Sequence, residues 1–263
     1  MFKRIPILMY HSIEPEGSKR VYEHERFYNI TPDKFREQVD YLKRNSYNSV
    51  SINDLLRIEN DYDLPRRPIM LTFDDGHVSH YDTVLPILKD AGFTGVFFLV
   101  SNDIGKEYRI NWDGVKALKR AGMDIGSHGV NHDTINKLPY QNLIIELKAS
   151  KIELEDNLGT EIIAFAIPRG FYSPKISNVA RGMGYKFVFT SFTGNSTLYS
   201  NPYRMRRIVM RSSYTMKEFI SIVRKDPIFL AKKRLEQFTK NGIQKAVGIK
   251  RYERIKKAVF SKA

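Results

Sequence analysis

The chain of 263 residues contains no cysteine. Disulfides and thiolate zinc sites are therefore excluded, and any metal must be held by nitrogen and oxygen ligands. Absent cysteine also suits a reducing compartment. No apolar run approaches the ~18–20 residues that a membrane-spanning helix needs. The N-terminal stretch Met1-Phe-Lys-Arg-Ile-Pro-Ile-Leu-Met-Tyr-His11 places two basic residues before a short apolar run. That run is too short for the core of a signal peptide, and no small-residue cleavage site follows it, so it reads as a first strand. The expected location is cytoplasmic. No internal repeat and no low-complexity linker interrupts the chain. No histidine follows His132. Acidic residues are scarce at the C-terminus: residues 221–263 hold 13 Lys/Arg and 3 Asp/Glu, which is +10 of the total +14.

What is present is enough for a substantial core, with 42% hydrophobic residues. Apolar runs rich in β-branched and aromatic residues recur at 5–10, 49–52, 69–73, 95–100, 123–125, 162–167, 186–190 and 207–210. Segments of helical character lie between them. Thr31 is an N-cap with Pro32 at the first helical position, and Phe35, Val39 and Leu42 share one face. Residues 79–91 form another, with Val84, Leu85 and Leu88 inward and Gly92 at the C-cap. Residues 111–121, 139–158 and 174–183 follow. The alternation predicts an α/β fold with parallel strands covered by helices. Seven or eight strands suit a closed or nearly closed barrel, and an open doubly wound sheet is the alternative. Residues 12–30 and 194–203 read as long loops.

Two clusters carry candidate chemistry. Ile69-Met-Leu-Thr-Phe-Asp-Asp-Gly76 is a buried-strand pattern that ends in two carboxylates and a glycine. Acids at the C-terminal end of such a strand lie where α/β folds keep their sites. Taken alone, Asp75-Gly76 is also an ordinary turn. Ile125-Gly-Ser-His-Gly-Val-Asn-His132 spaces His128 and His132 four apart. Gly126, Gly129 and Asn131 argue against a regular helix, so a loop would have to bring the imidazoles together. Two His and one Asp can hold zinc with a position left for water, and water there becomes nucleophilic near neutral pH. The second acid would remain free as a general base.

Thr72-Phe-Asp-Asp-Gly76 and Ser127-His-Gly-Val-Asn-His132 resemble the first two motifs of the polysaccharide deacetylase family, the NodB-homology domain of carbohydrate esterase family 4. The flanking segments 81–88, 91–98, Trp112 and 121–127 are similar as well, and the resemblance covers about residues 5–211. It implies a distorted (β/α) barrel of about seven strands that hydrolyses N-acetyl groups on sugars with a divalent metal. Asp75, His128 and His132 would hold the metal, and Asp74 would accept a proton from the attacking water. Zinc is the expected ion, although Co²⁺, Ni²⁺ and Fe²⁺ suit the same ligands. The resemblance marks Arg169, Pro168, Tyr10 and Trp112 as substrate-binding candidates.

The chain departs from the family pattern in three places. At the third motif, which resembles Arg-x-Pro-Tyr-Gly, it has Ala166-Ile-Pro-Arg-Gly170. The arginine that would orient the base is thus replaced by Ala166, and Arg169 stands at the tyrosine position. Arg169 could bind an anionic substrate group or restore the missing charge from another direction. Gly129 replaces a Ser or Thr, with the loss of one supporting hydrogen bond. The late Leu-x-His motif, which supplies the general acid, is not evident in Arg207-Ile-Val-Met-Arg-Ser-Ser213. Pro6-Ile-Leu-Met-Tyr-His11 resembles the start of a subgroup that includes poly-N-acetylglucosamine deacetylases. His11 is therefore the candidate acid, with a structural strand-end role as its alternative. His77 is a weaker rival, and His24 and His80 read as surface residues.

The expected organisation is a barrel over 1–215 and a basic amphipathic extension over 216–263. In the extension Leu235, Phe238, Ile243, Val247, Tyr252, Ile255 and Val259 recur at helical steps opposite lysine and arginine. Residues 227–263 could lie on an anionic membrane surface at the inner face, or form a solvated basic helix packed on the barrel. No nucleic-acid motif accompanies the charge. The leading expectation is a carbohydrate N-deacetylase acting on an N-acetylated polysaccharide or lipid-linked glycan. An O-acetyl esterase and a weakened, glycan-binding barrel are the alternatives.

Overall fold

The computed structural model describes residues 2–247. The strands are β1 (Ile7–Tyr10), β2 (Asn48–Ser49), β3 (Pro68–Phe73), β4 (Val96–Leu99), β5 (Asp124–Ser127), β6 (Ala164–Ala166), β7 (Phe187–Phe189) and β8 (Ile208–Val209). The α-helices are α1 (Pro32–Arg44), α2 (Ile52–Arg57), α3 (Leu85–Ala91), α4 (Trp112–Arg120), α5 (Tyr140–Leu158), α6 (Pro174–Gly182), α7 (Met216–Val223) and α8 (Pro227–Val247). The sheet runs β7-β6-β5-β4-β3-β1-β8, with β2 paired to β3. All pairings between the named strands are parallel. A parallel bridge from Phe189 to Met205 links the end of β7 to the segment before β8. The seven-strand path curls into the distorted (β/α) barrel expected from the sequence.

Local chemistry explains the elements. Thr31 accepts a hydrogen bond from Lys34 N with Pro32 at the start of α1, and Phe35, Val39 and Leu42 are buried. Ser51 and Asp54 make a capping box for α2. This box ends the apolar run 49–52 as a strand after two residues, so Ile52 is helical. Gly92 and Gly159 close α3 and α5 in the left-handed conformation. The helix expected from residue 79 begins instead as a π-turn, His80–Val84. Leu85 N donates to His80 O, and Pro86 has no N–H with which to continue the regular ladder.

Alternation along the strands sorts the core into two clusters. Leu8, Tyr10, Leu71, Phe73, Phe97, Leu99, Phe165 and Val188 pack with the helices. Ile7, Met70, Val96, Phe98, Ala164, Ala166, Phe187 and Phe189 form the other cluster, inside the curl. Phe219, Ile222 and Val223 of α7, and Leu230 of α8, join the helix-side core. The expected pattern at Tyr252, Ile255 and Val259 lies outside the described residues, as do the side chains of Ile243 and Val247.

Inside the curl β5 and β6 approach closely. A Cβ on Gly126 would lie 2.5 Å from the Phe98 ring and 3.1 Å from Ala164 O. Gly126→Ala should therefore destabilise the barrel by about 1–3 kcal/mol, read as a lower midpoint in chemical denaturation with an unchanged slope.

Candidate active site

The acid pair sits at the C-terminal end of β3, between β1 and β4. Asp74 N still donates to Tyr10 O at 2.9 Å, so Asp74 continues the strand and its side chain enters the curl. Asp75 and Gly76 then adopt positive φ of 73° and 65°. This left-handed turn is costly for an aspartate, and it lets neighbouring carboxylates face one cavity. Gly76 is held against Leu99, whose Cδ2 would lie 3.2 Å from an added Cβ.

Asp74 is buried and gripped from two sides by Arg207. Nη1 donates to Oδ1 at 2.7 Å and Nη2 to Oδ2 at 2.8 Å. Arg207 is itself fully buried and also donates to Thr190 O and Thr72 Oγ1. Burial opposes ionisation of Asp74, but Arg207 and, more weakly, His128 hold its pKa below the ordinary carboxylate value. The charge missing at Ala166 thus arrives on the segment before β8. Arg169 does not supply it: this residue is exposed, and its Nε donates to His132 O at 3.2 Å.

Asp75, His128 and His132 form a second group whose ligand atoms all lie within 4.8 Å of one another. His128 Nε2 is 3.3 Å and His132 Nε2 3.2 Å from Asp75 Oδ1. His128 Nδ1 lies 2.8 Å from Ala166 O, which assigns the proton to Nδ1 and turns the Nε2 lone pair toward Asp75. Asp75 Oδ1 is buried and makes no hydrogen bond among the described residues. Two imidazole nitrogens facing one bare carboxylate oxygen are stabilised by a positive charge between them, a proton or a metal cation. Burial disfavours charge on every member of the group. The histidines nevertheless hold Asp75 well below its ordinary pKa, and Asp74 and Asp75 lift that of His128. His132 is pushed down by burial. The donor set, the tautomer and the orphaned oxygen all fit a divalent cation.

The loop that carries the histidines is shaped by Glu146 of α5. Its Oε1 accepts from Val130 N at 2.7 Å and Asn131 N at 2.9 Å. A Cβ on Gly129 would lie 2.9 Å from the same oxygen. Gly129 therefore gives Glu146 access to the loop, a role that its comparison with Ser or Thr did not suggest. His132 closes the loop with φ 51°.

The other histidines separate clearly. His11 stacks on Tyr28 with ring centroids 4.7 Å apart. It follows β1, the neighbour of β3, and so lies among the strand ends that carry the acid pair. Its Nδ1 is buried without a hydrogen bond among the described residues. His77 is buried and uses both nitrogens locally, on Ser79 Oγ and Arg20 O. His24 is exposed, as expected. His80 is not the surface residue expected. The π-turn folds it beneath Phe73 and Phe97, and its Nε2 bonds His11 O at 2.8 Å.

Of the substrate-binding candidates, Tyr10 requires correction. Its alternation faces the helices, it is buried, and its hydroxyl donates to Gln38 Oε1. Trp112 is half-buried against the helix-side core at the start of α4. Pro168 is buried beside Gly129. Arg207 and Glu146 were not singled out from the sequence. The available signals were an arginine heading the apolar run Arg207-Ile-Val-Met210 and an acid on the inward face Leu143, Glu146, Leu147 of α5.

Known proteins share this arrangement of chain. The sequence profile of the family described as polysaccharide deacetylase matches residues 61–188. YxkH of Bacillus subtilis, itself assigned to the polysaccharide deacetylases, is 28% identical over 209 residues, 78% of this chain and 71% of that protein. The poly-beta-1,6-N-acetyl-D-glucosamine N-deacetylase of Staphylococcus epidermidis is 23% identical over 208 residues, 74% of this chain and 71% of that protein. The structure of the Streptococcus pyogenes deacetylase PplD in complex with acetate superposes with a TM-score of 0.76 and 25% identity, over 85% of this chain and 99% of that one.

Removal of Arg207 alone would leave Asp74 buried and unpaired. Arg207→Met should cost about 3–5 kcal/mol of stability, and Asp74→Asn in the same background should recover part of it. With the guanidinium gone, burial dominates and the pKa of Asp74 rises. The stability that Asp74 contributes in the parent is present above its unfolded value and is lost as pH falls through its depressed folded value. A denaturation series from neutral pH down to about pH 2 on the parent and both variants reads this directly.

Proposed function

We propose that this chain, a member of the polysaccharide deacetylase family, removes N-acetyl groups from an amino-sugar-containing polysaccharide or a lipid-linked glycan. The reading rests on one observation. A buried carboxylate fixed by Arg207 stands beside an Asp-His-His cluster at the C-terminal ends of β3 and β5. The family relationship supports sugar deacetylation as the reaction class.

Asp75, His128 and His132 would hold the divalent ion, with zinc as the first choice. When bound, the ion supplies Lewis-acid polarisation and lowers the pKa of water. Asp74 takes the proton of the attacking water. Arg207 keeps Asp74 ionised and engages one lone pair on each oxygen, so a second remains for the proton. The water oxygen bonds to the acetamide carbonyl carbon, and the backbone N–H of Arg169 would serve the developing oxyanion. Cleavage of the carbon–nitrogen bond requires a proton on the leaving amine, which we assign to His11. Acetate and a free amine result.

O-acetyl ester hydrolysis is the second reading. Its support is the absence of any histidine after His132. An alkoxide leaves more readily than an amine and demands less of the acid.

The ligand and base assignments separate in two variants. Asp75→Ala should fall from about one bound metal per chain to little. Asp74→Asn should keep the metal and lose acetate release from N-acetylglucosamine oligomers by ~10²-fold or more. Undiminished release by Asp74→Asn would remove Asp74 as the base. Faster release from O-acetylated than from N-acetylated sugars would favour the ester reading.

The same proposal extends to the C-terminal helix. Ile228, Leu235 and Phe238 are 82%, 66% and 76% exposed and share the outer face of α8. Leu230 and Gln237 on the opposite face hold it to the barrel. No helix among the described residues is long and apolar enough to cross a membrane. An apolar stripe beside a +10 segment suits the surface of an anionic bilayer. Leu235→Glu with Phe238→Glu should abolish sedimentation with phosphatidylglycerol vesicles. Equal sedimentation of parent and variant would overturn this surface assignment.

A further inference from the structure

We propose that Arg206 and Arg234, with Arg204 beside them, form a binding site for a phosphate ester at the rim of the barrel, separate from the Asp-His-His cluster. The site is assembled by the loop after β7 and by α8. Gln237 accepts from Thr193 N at 2.8 Å and donates to Ser191 O at 2.5 Å, while Arg234 Nε donates to Thr193 O at 3.2 Å. These bonds fix α8 to the loop and aim the outer nitrogens of Arg234 across Gly194. From the position that a Cβ on Gly194 would occupy, Arg234 Nη2 is 2.9 Å and Arg206 Nη1 3.5 Å away. Both guanidinium side chains thus lie close against Gly194, Arg206 Cδ at 3.1 Å from the same point, and they come together there because residue 194 has no side chain. Arg204 lies close by, over the rings of Phe192 at 4.9 Å and Tyr172 at 5.1 Å.

None of the three arginines has a carboxylate within ion-pair distance among the described residues. The acid available on α8, Glu236, pairs instead with Lys233 and Arg211. Partial burial and then the charges of Arg234 and Arg204 work against the protonated form of Arg206. Gathering like charges without a counter-ion raises the free energy of the cluster, and a bound oxyanion lowers it. Planar forks on two sides match the oxygens of a phosphate, and its charge of up to −2 matches the excess of cations. Arg206 precedes Arg207, and Ser191 borders Gly170, where an added Cβ would lie 2.5 Å from Ser191 Oγ. A phosphate here would belong to the acetylated glycan or its carrier, or to a lipid headgroup beneath α8.

Binding can be read without any reaction, so it stands or falls separately from acetate release. The deacetylase reading enters only in the choice of sugar for the probe. Isothermal titration of the full chain with N-acetylglucosamine 1-phosphate and with inorganic phosphate forms one arm. Sedimentation with phosphatidylglycerol vesicles forms the other. Arg206→Gln with Arg234→Gln should shift the unfolding temperature little, since both side chains are exposed and the two bonds of Gln237 still hold α8 to the loop. If the phosphate travels on the substrate, the variant weakens sugar-phosphate binding at least tenfold. If it belongs to a lipid, the variant loses vesicle binding and neither soluble probe binds the parent. Equal behaviour of parent and variant in both arms would overturn the proposal.

Discussion

The buried pairing of Arg207 with Asp74 is the constraint on which the rest of this structure depends. Two ions taken out of water are tolerated only with near-ideal geometry and with their remaining donors satisfied. Both conditions are met. Two parallel hydrogen bonds join the fork to the carboxylate, and further donors reach Thr190 O and Thr72 Oγ1. Those partners lie on opposite sides of the sheet's path, just past β7 and within β3. The pair is therefore also a fastening across the curl, where the few backbone bonds at Phe189–Met205 give little support of their own. It fixes Asp74 as an anion of one orientation, and everything built around the carboxylate inherits that orientation.

The positive side of the site is arranged in layers. Arg207 neutralises one carboxylate from within the barrel. His128 and His132 crowd the other from the end of β5, beyond the intervening β4, and the three ligands fit one more cation. Farther out, Arg204, Arg206 and Arg234 stand on the rim with no acid to meet them among the described residues. One fixed anion and a cluster that fits a cation at the centre, with arginines at the edge, would suit a substrate with a neutral reacting group and an anionic neighbour.

Strain is concentrated at the same places. Asp75, His132 and Arg169 all take positive φ, one each after β3, β5 and β6. None is glycine, so each turn costs energy that the surrounding contacts must hold. The adjoining glycines, Gly76, Gly129 and Gly170, are where neighbours come too close for a side chain: Leu99, Glu146 and Ser191. The site is thus made from strand ends that turn abruptly while a rigid parallel sheet fixes their spacing.

Much of this was legible in the chain alone. Alternation of β-rich runs with amphipathic segments determined the parallel barrel, because helices must cover strands joined in that order. Thr31-Pro32, Gly92 and Gly159 marked helix ends through purely local chemistry. Asp74, Asp75, His128 and His132 announced themselves by lying close together at the ends of apolar runs. Tyr10, His80 and Arg207 were misread or passed over for a shared reason: their environments are made by residues far away in sequence. Tyr10 meets Gln38, His80 meets the carbonyl of His11, and Arg207 meets Asp74 across 133 positions. Composition and spacing thus determined which groups exist and on which kind of element they sit. Only the closed tertiary structure decided which arginine would neutralise Asp74, because that choice depends on which strand ends the barrel brings together.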